Sequence, residues 1–148
     1  MRVIAAIVAV ASMIVVCAPG QSAASGPVLG KWKFAGKDNA GLVWTGTLTS
    51  SNLDPKRFDP KRHPWLCSLE MESNDQSKGT KGVEAPCDWE ARSRSLSFTT
   101  GYKVLHLYSA TLSADGSRLT NGKWTESMRD VDGKSGELIR SGTWSAKF

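Results

Sequence analysis

Four short steps constrain what this chain can fold into: Gly30-Lys31-Trp32, Gly46-Thr47-Leu48, Gly122-Lys123-Trp124 and Gly142-Thr143-Trp144. Each lies in a run that alternates small or apolar residues with polar ones, the period of a half-buried strand. A glycine inside a strand marks a bend, a bulge or a close backbone approach. The large side chain two residues later faces the same way and can fill the space that glycine leaves. Because the steps occur near both ends of the chain, they imply a sheet curled until its first and last strands meet.

The first 24 residues stand apart from that pattern. Arg2 precedes an apolar run over 3–16 interrupted only by Ser12, Pro19 and Gly20 end the run, and Ser22-Ala23-Ala24 supplies small residues at the positions a signal peptidase reads. Residues 1–24 read as a secretory signal peptide cleaved after Ala24, which implies a periplasmic or secreted protein. The apolar run is shorter than the roughly 20 residues of a membrane span. A lipidated Cys17 is the alternative, with Val16 standing where bacterial lipoproteins carry a small residue.

The expected folded domain is therefore 25–148, long enough for one hydrophobic core. It carries 18 Lys and Arg against 14 Asp and Glu, a formal charge of +4. That mild excess identifies no partner, and without a basic helix or a recognisable motif, nucleic acid is not an expected one. Cys67 and Cys87 are the two cysteines left in this part, and an even pair in an oxidising compartment reads as a disulfide. Neither has a second cysteine or a histidine at ligand spacing, so neither a metal nor a cofactor is expected.

Alternation predicts strands at 28–36, 42–50, 65–73, 87–91, 96–100, 104–112, 117–127 and 137–148. Residues 51–64 break it: Asp-Pro-Lys-Arg occurs twice, at 54–57 and 59–62, and three prolines exclude a central strand, leaving a basic exposed loop. Residues 74–86 read as a polar loop. Asp115-Gly116 signals a tight hairpin that puts Leu112 opposite Leu119. Trp124 then reaches the face of Leu119 only through a bulge at Asn121-Gly122. The strand at 104–112 is apolar on both faces and so reads as well covered. The expected architecture is all-β, a single antiparallel up-and-down β-barrel of about eight strands. Cys67 and Cys87 begin consecutive predicted strands, which places them at opposite ends of a plain hairpin. Loop 74–86 is therefore expected to double back, pinned by the disulfide.

The Gly30-Lys31-Trp32 step at the head of the first strand resembles the opening signature of lipocalins and the wider calycin group. The resemblance implies an eight-stranded barrel whose open mouth holds a small, largely apolar molecule. It also implies an arginine from the last strand packed over the tryptophan, a role for Arg140 over Trp32. The polar pattern with which avidin-like barrels contact biotin is absent.

Catalysis finds little support. His63 lies in the basic loop, and His106 reads as a strand histidine beside Tyr108 rather than a general base. Glu70, Glu72, Asp88 and Glu90 fall on outward faces, so the chain does not read as an enzyme. Trp32 and Trp144 read as core fillers. Trp44, Trp89, Phe98 and Tyr108, with Arg140, are the candidate wall of a ligand pocket, the alternative being a filled interior. A second candidate surface is the basic loop. There Lys56, Arg57, Lys61 and Arg62 suit carboxylate or phosphate groups, and Phe58 suits an anchor, as in an interaction module or enzyme inhibitor with a protein or glycan partner.

Overall fold

The computed structural model describes residues 26–54, 56, 64–133 and 135–148. The expected signal peptide with Cys17 lies outside the described residues, as do Arg57, Phe58, Lys61, Arg62 and His63. Eight strands, β1 (Gly30–Asp38), β2 (Val43–Asn52), β3 (Trp65–Ser73), β4 (Thr80–Glu90), β5 (Ser95–Thr100), β6 (Val104–Leu112), β7 (Arg118–Arg129) and β8 (Ser135–Lys147), close into one barrel. Each strand pairs antiparallel with its sequence neighbour, and β1 pairs with β8 to complete the circle. Closure leaves the sheet no outer strand, so the backbone ladder is satisfied around the ring.

The largest departure from the sequence reading is β4. It begins at Thr80, not at Cys87, and a short turn of 3-10 helix at Gln76–Lys78 precedes it. Most of the supposed loop is therefore strand. Cys87 falls near the far end of β4, opposite Trp65, while Cys67 sits opposite Ala85. The two cysteines are diagonal neighbours on paired strands, bonded with Cα atoms 5.6 Å apart. No loop doubles back to bring them together. Gly82 and Pro86 obscured this strand, since both residues argue against a strand interior. Pro86 is accommodated because β4 pairs with β5 only from Cys87 to Glu90, so the proline lies where β4 has a neighbour on one side.

The hairpin at Asp115-Gly116 and the bulge after it are where the sequence placed them. Leu112 opposes Leu119, and the register then shifts across Asn121-Gly122, where Asn121 adopts a φ of 53°. Leu119 and Trp124 are both buried as a result. One other expectation fails: on β6, apolar on both faces, Leu107 points to solvent. On β8, a shift between Glu126 and Ser127 of the facing strand turns Leu138 outward.

The Gly-x-Trp steps act in pairs. On the antiparallel β7 and β8, Gly122 faces Trp144 and Trp124 faces Gly142. Each indole therefore lies on the glycine of the opposite step. A Cβ on Gly122 would stand 2.6 Å from Trp144 Cδ2, and one on Gly142 would meet Trp124 and the Lys37 carbonyl. Neither position has room for a side chain. Trp144 Nε1 donates to the Lys123 carbonyl at 3.0 Å and fixes its ring in that slot. Phe34 likewise faces Gly46, and Gly36 faces both Trp44 and Trp144, though what crowds Gly46 is the Glu70–Met71 backbone and what crowds Gly36 is the Phe34 ring and the Thr143 carbonyl.

The seam between β1 and β8 is aromatic. Phe34 packs on Trp144 at 5.4 Å between centroids, and Trp32 meets the edge of Phe148 at 5.0 Å. Phe148 therefore holds the place over Trp32 that the lipocalin resemblance implied for Arg140. Trp32 Nε1 donates to Ser50 Oγ, which in turn donates to the Val28 carbonyl at 2.7 Å. A polar tip buried in an apolar environment needs such a partner, since leaving it unmade costs about 1–3 kcal/mol. Around it Leu48, Cys67, Cys87, Leu112, Leu119 and Ala146 fill this end of the barrel.

Candidate ligand-binding cavity

The opposite end of the barrel is not filled. A cavity of about 380 Å³ opens there, lined by β1, β2, β3, β4, β6 and β7 with no residue from β5. The inward positions form levels along the barrel axis. Below the cavity lies the packed apolar end. Phe34, Trp44, Tyr108 and Trp124 make an aromatic level, with Met71 and Val83 filling between rings. Above them stand titratable side chains: Lys81, His106 and Glu126 on the cavity wall, with Asp38 and Arg140 beside them.

The aromatic level is ordered by stacking. Phe98 lies nearly parallel to Tyr108 at 4.8 Å and 11°, and Tyr108 stacks on Trp124 at 6.5 Å and 23°. Tyr108 is thus held in place between two rings, one of them fully buried. Burial pushes its hydroxyl up to about 12, with Glu126 adding to the shift and Arg140 opposing it. The phenol stays protonated at neutral pH and is available as a donor.

The charged level is a chain of contacts. Arg140 donates to Glu126 Oε2 at 2.7 Å, and its other terminal nitrogen lies 3.9 Å from Asp38 Oδ2. Asp38 is buried, and its Oδ1 caps the β1–β2 turn by accepting the Ala40 and Leu42 amides. Arg140 also sits over the Trp124 ring at 5.8 Å, so it braces that indole from above. His106 Nδ1 is 3.7 Å from the same Glu126 oxygen. Burial lowers the His106 pKa from its ordinary 6.5; Glu126 opposes the shift, and Lys81 and Arg140 reinforce it. Loss of hydration outweighs the carboxylate at that distance, so the imidazole is neutral at pH 7.

Lys81 differs from Arg140. Its ammonium stands 4.8 Å from the centre of the Trp44 ring. Among the described residues no carboxylate lies within ion-pair distance of it. Burial lowers its pKa from 10.5, Arg140 adds to this, and Glu126 and Asp38 oppose it.

Of the residues read from sequence as a pocket wall, Trp44 and Tyr108 line the cavity. Phe98 stands behind Tyr108, and Arg140 holds Glu126 and Trp124 from outside the lining. Trp89 lies towards the packed end, opposite Leu96. Of the candidate contact residues in the basic loop only Lys56 is described; it is exposed, and its amide donates to Asp54 Oδ1. Sequence reasoning missed Lys81 and Glu126. Alternation on β4 and β7 points both inward, but inward charge is easily taken for a solvated face when the strand's register is unknown.

The chain matches no protein-family model and no curated protein. Solved structures do match in shape. EF1p2_mFAP2b bound to DFHBI aligns with a TM-score of 0.54 and 12% identity, over 80% of this chain and 91% of that one. A redesigned beta barrel, mFAP1, bound to DFHBI, aligns with a TM-score of 0.49 and 12% identity, over 81% of this chain and 94% of that one. At such identity the likeness shows the fold, a small eight-stranded barrel.

Proposed function

We propose that this chain is an exported, non-catalytic binding protein that holds a small, largely apolar, aromatic molecule in the open end of its barrel. The observation that carries the reading is the cavity itself: about 380 Å³ walled by Phe34, Trp44, Tyr108 and Trp124. That volume falls in the range of small-molecule sites, about 300–1,000 Å³, and such sites combine apolar walls with a few placed polar groups. EF1p2_mFAP2b, of the same fold, is bound to DFHBI, which supports the reading by analogy of architecture. The charged groups above the rings serve structure and recognition. Glu126 is engaged by Arg140, and among the described residues no serine, threonine or cysteine side chain is hydrogen-bonded to His106.

Titration with N-phenyl-1-naphthylamine, a neutral fluorescent probe, tests the cavity. We expect saturable enhancement of its emission with quenching of tryptophan, both lost in Val83→Trp, which puts a ring into the space. Probe emission unaffected by the protein would refute the reading. Export is tested separately: N-terminal sequencing of the secreted or periplasmic protein should begin at Ser25.

A further inference from the structure

We propose that the natural ligand is a small aromatic acid, its ring enclosed by the aromatic walls of the cavity and its anionic group held by the Lys81 ammonium. The inference rests on the cavity reading above and narrows it to one chemical class.

Three observations carry it. The first is the contrast between the two cations at this end of the barrel. Arg140 is neutralised by Glu126 at 2.7 Å and lies 3.9 Å from Asp38. Lys81, on the cavity wall, has no carboxylate partner among the described residues. A part-buried ammonium without a counter-ion is an unfavourable arrangement, and a ligand anion beside it would relieve it. The second is its place over the Trp44 ring at 4.8 Å. That contact anchors the ammonium at the ring level, where a substituent on an aromatic ligand in the cavity would reach it. It also occupies the ring face that a cationic ligand would seek, and so turns the site against cations. The third is the set of neutral donors. The Tyr108 hydroxyl lies on the wall and, among the described residues, accepts or donates no hydrogen bond. With His106 beside it, this leaves donors free for the second oxygen of a carboxylate.

Binding of 2-naphthoate and of its neutral isostere 2-naphthamide, followed by tryptophan quenching, tests the inference on the mature chain. The wild type should prefer the acid by about tenfold or more, the scale of one charge-assisted hydrogen bond. Lys81→Met should abolish that preference, and Lys81→Arg should keep most of it. Circular dichroism establishes that each variant is folded. Equal binding of acid and amide, or a preference that survives Lys81→Met, would overturn the inference and leave the cavity standing. The same holds if neither naphthalene binds while the neutral probe does. If the neutral probe also fails, the cavity reading falls with it.

Discussion

The two ends of this barrel use their inward side chains in opposite ways. At one end Trp32, Leu48, Leu119 and the Cys67–Cys87 bridge fill the interior, and the buried polar groups there, Trp32 Nε1 and Ser50 Oγ, are partnered. At the other, four aromatic rings surround a void, Lys81 has no ion-pair partner among the described residues, and Asp38 Oδ2 is buried without a hydrogen bond. The strands are continuous through both ends, so the difference is one of side chains, not of backbone. Unfilled volume and unpaired charge each destabilise a fold. A chain that keeps both at one end needs a surplus of packing at the other. The packed end should therefore govern stability and the open end binding.

The largest effect should come from Trp32→Ala. The ring is 2% exposed, touches Phe148 and closes the base of the barrel. Truncating a buried aromatic residue of this size costs about 3–5 kcal/mol. Chemical denaturation should show the loss directly. A loss below about 1 kcal/mol would mean that the base is not the stable half. Next is the disulfide. Cys67→Ala with Cys87→Ala opens a cross-link between residues 20 apart in sequence, and the expected loss is about 3 kcal/mol in the chain-entropy account. Probe affinity measured below the denaturation midpoint should be preserved in both variants. A variant that stays folded but loses the cavity would show that the ends are coupled and break the division of labour.

Tyr108 belongs to the level where the two halves meet, and it reports on both. Its folded pKa is raised to about 12 from an ordinary 10. Between those values the unfolded chain gives up the proton and the folded chain keeps it. The sign follows: the contribution is fully present below pH 10 and declines as pH rises through 10 towards 12. Its full size is about 2–3 kcal/mol, at roughly 1.4 kcal/mol per unit. The chain has two tyrosines, so phenolate absorbance in Tyr102→Phe reads Tyr108 alone. A transition near 10 in the folded protein would mean that water reaches the phenol and that the aromatic level is not sealed from below.

What the sequence showed and what it hid follow the same division. Alternation gave β3 and β6 their bounds, and Asp115-Gly116 with Leu119 and Trp124 gave the bulge. These are local signals, fixed by which face a side chain takes. Trp44 and Tyr108 could be placed on an inner face in the same way. Which inner-facing residue stands at the void and which in the packed end is different information. It depends on the stagger between strands as the sheet closes, which no single strand encodes. That is why Phe98 and Trp89, plausible wall residues on alternation alone, stand behind or below the cavity. Lys81 was lost for a further reason, because Gly82 and Pro86 masked the strand that carries it. Arg140 was assigned its face correctly and its partner wrongly. The resemblance pointed to Trp32, whereas the register sets Arg140 opposite Glu126.

The smallest expected effect tests the open end from the side of stability. Lys81→Met removes a cation that the fold holds partly out of water. Its folded pKa lies below the ordinary 10.5 because the folded chain bears the ammonium's lost hydration, with Arg140 adding to the shift. As pH rises through the window just below 10.5, the folded chain releases the proton first and that burden lifts. The variant should therefore melt at the same temperature as the wild type or slightly above it at pH 7, and the gap should close as pH approaches 10.5. Much of the side chain is in contact with solvent, which keeps the shift small. The sign carries the information. A substitution that removes charge, weakens binding of an aromatic acid and does not lower Tm is what a residue kept for recognition predicts, since function at such sites is held against stability. A clear fall in Tm would instead make Lys81 a structural cation, with the Trp44 contact as its purpose, and the two ends of the barrel would no longer divide stability from binding.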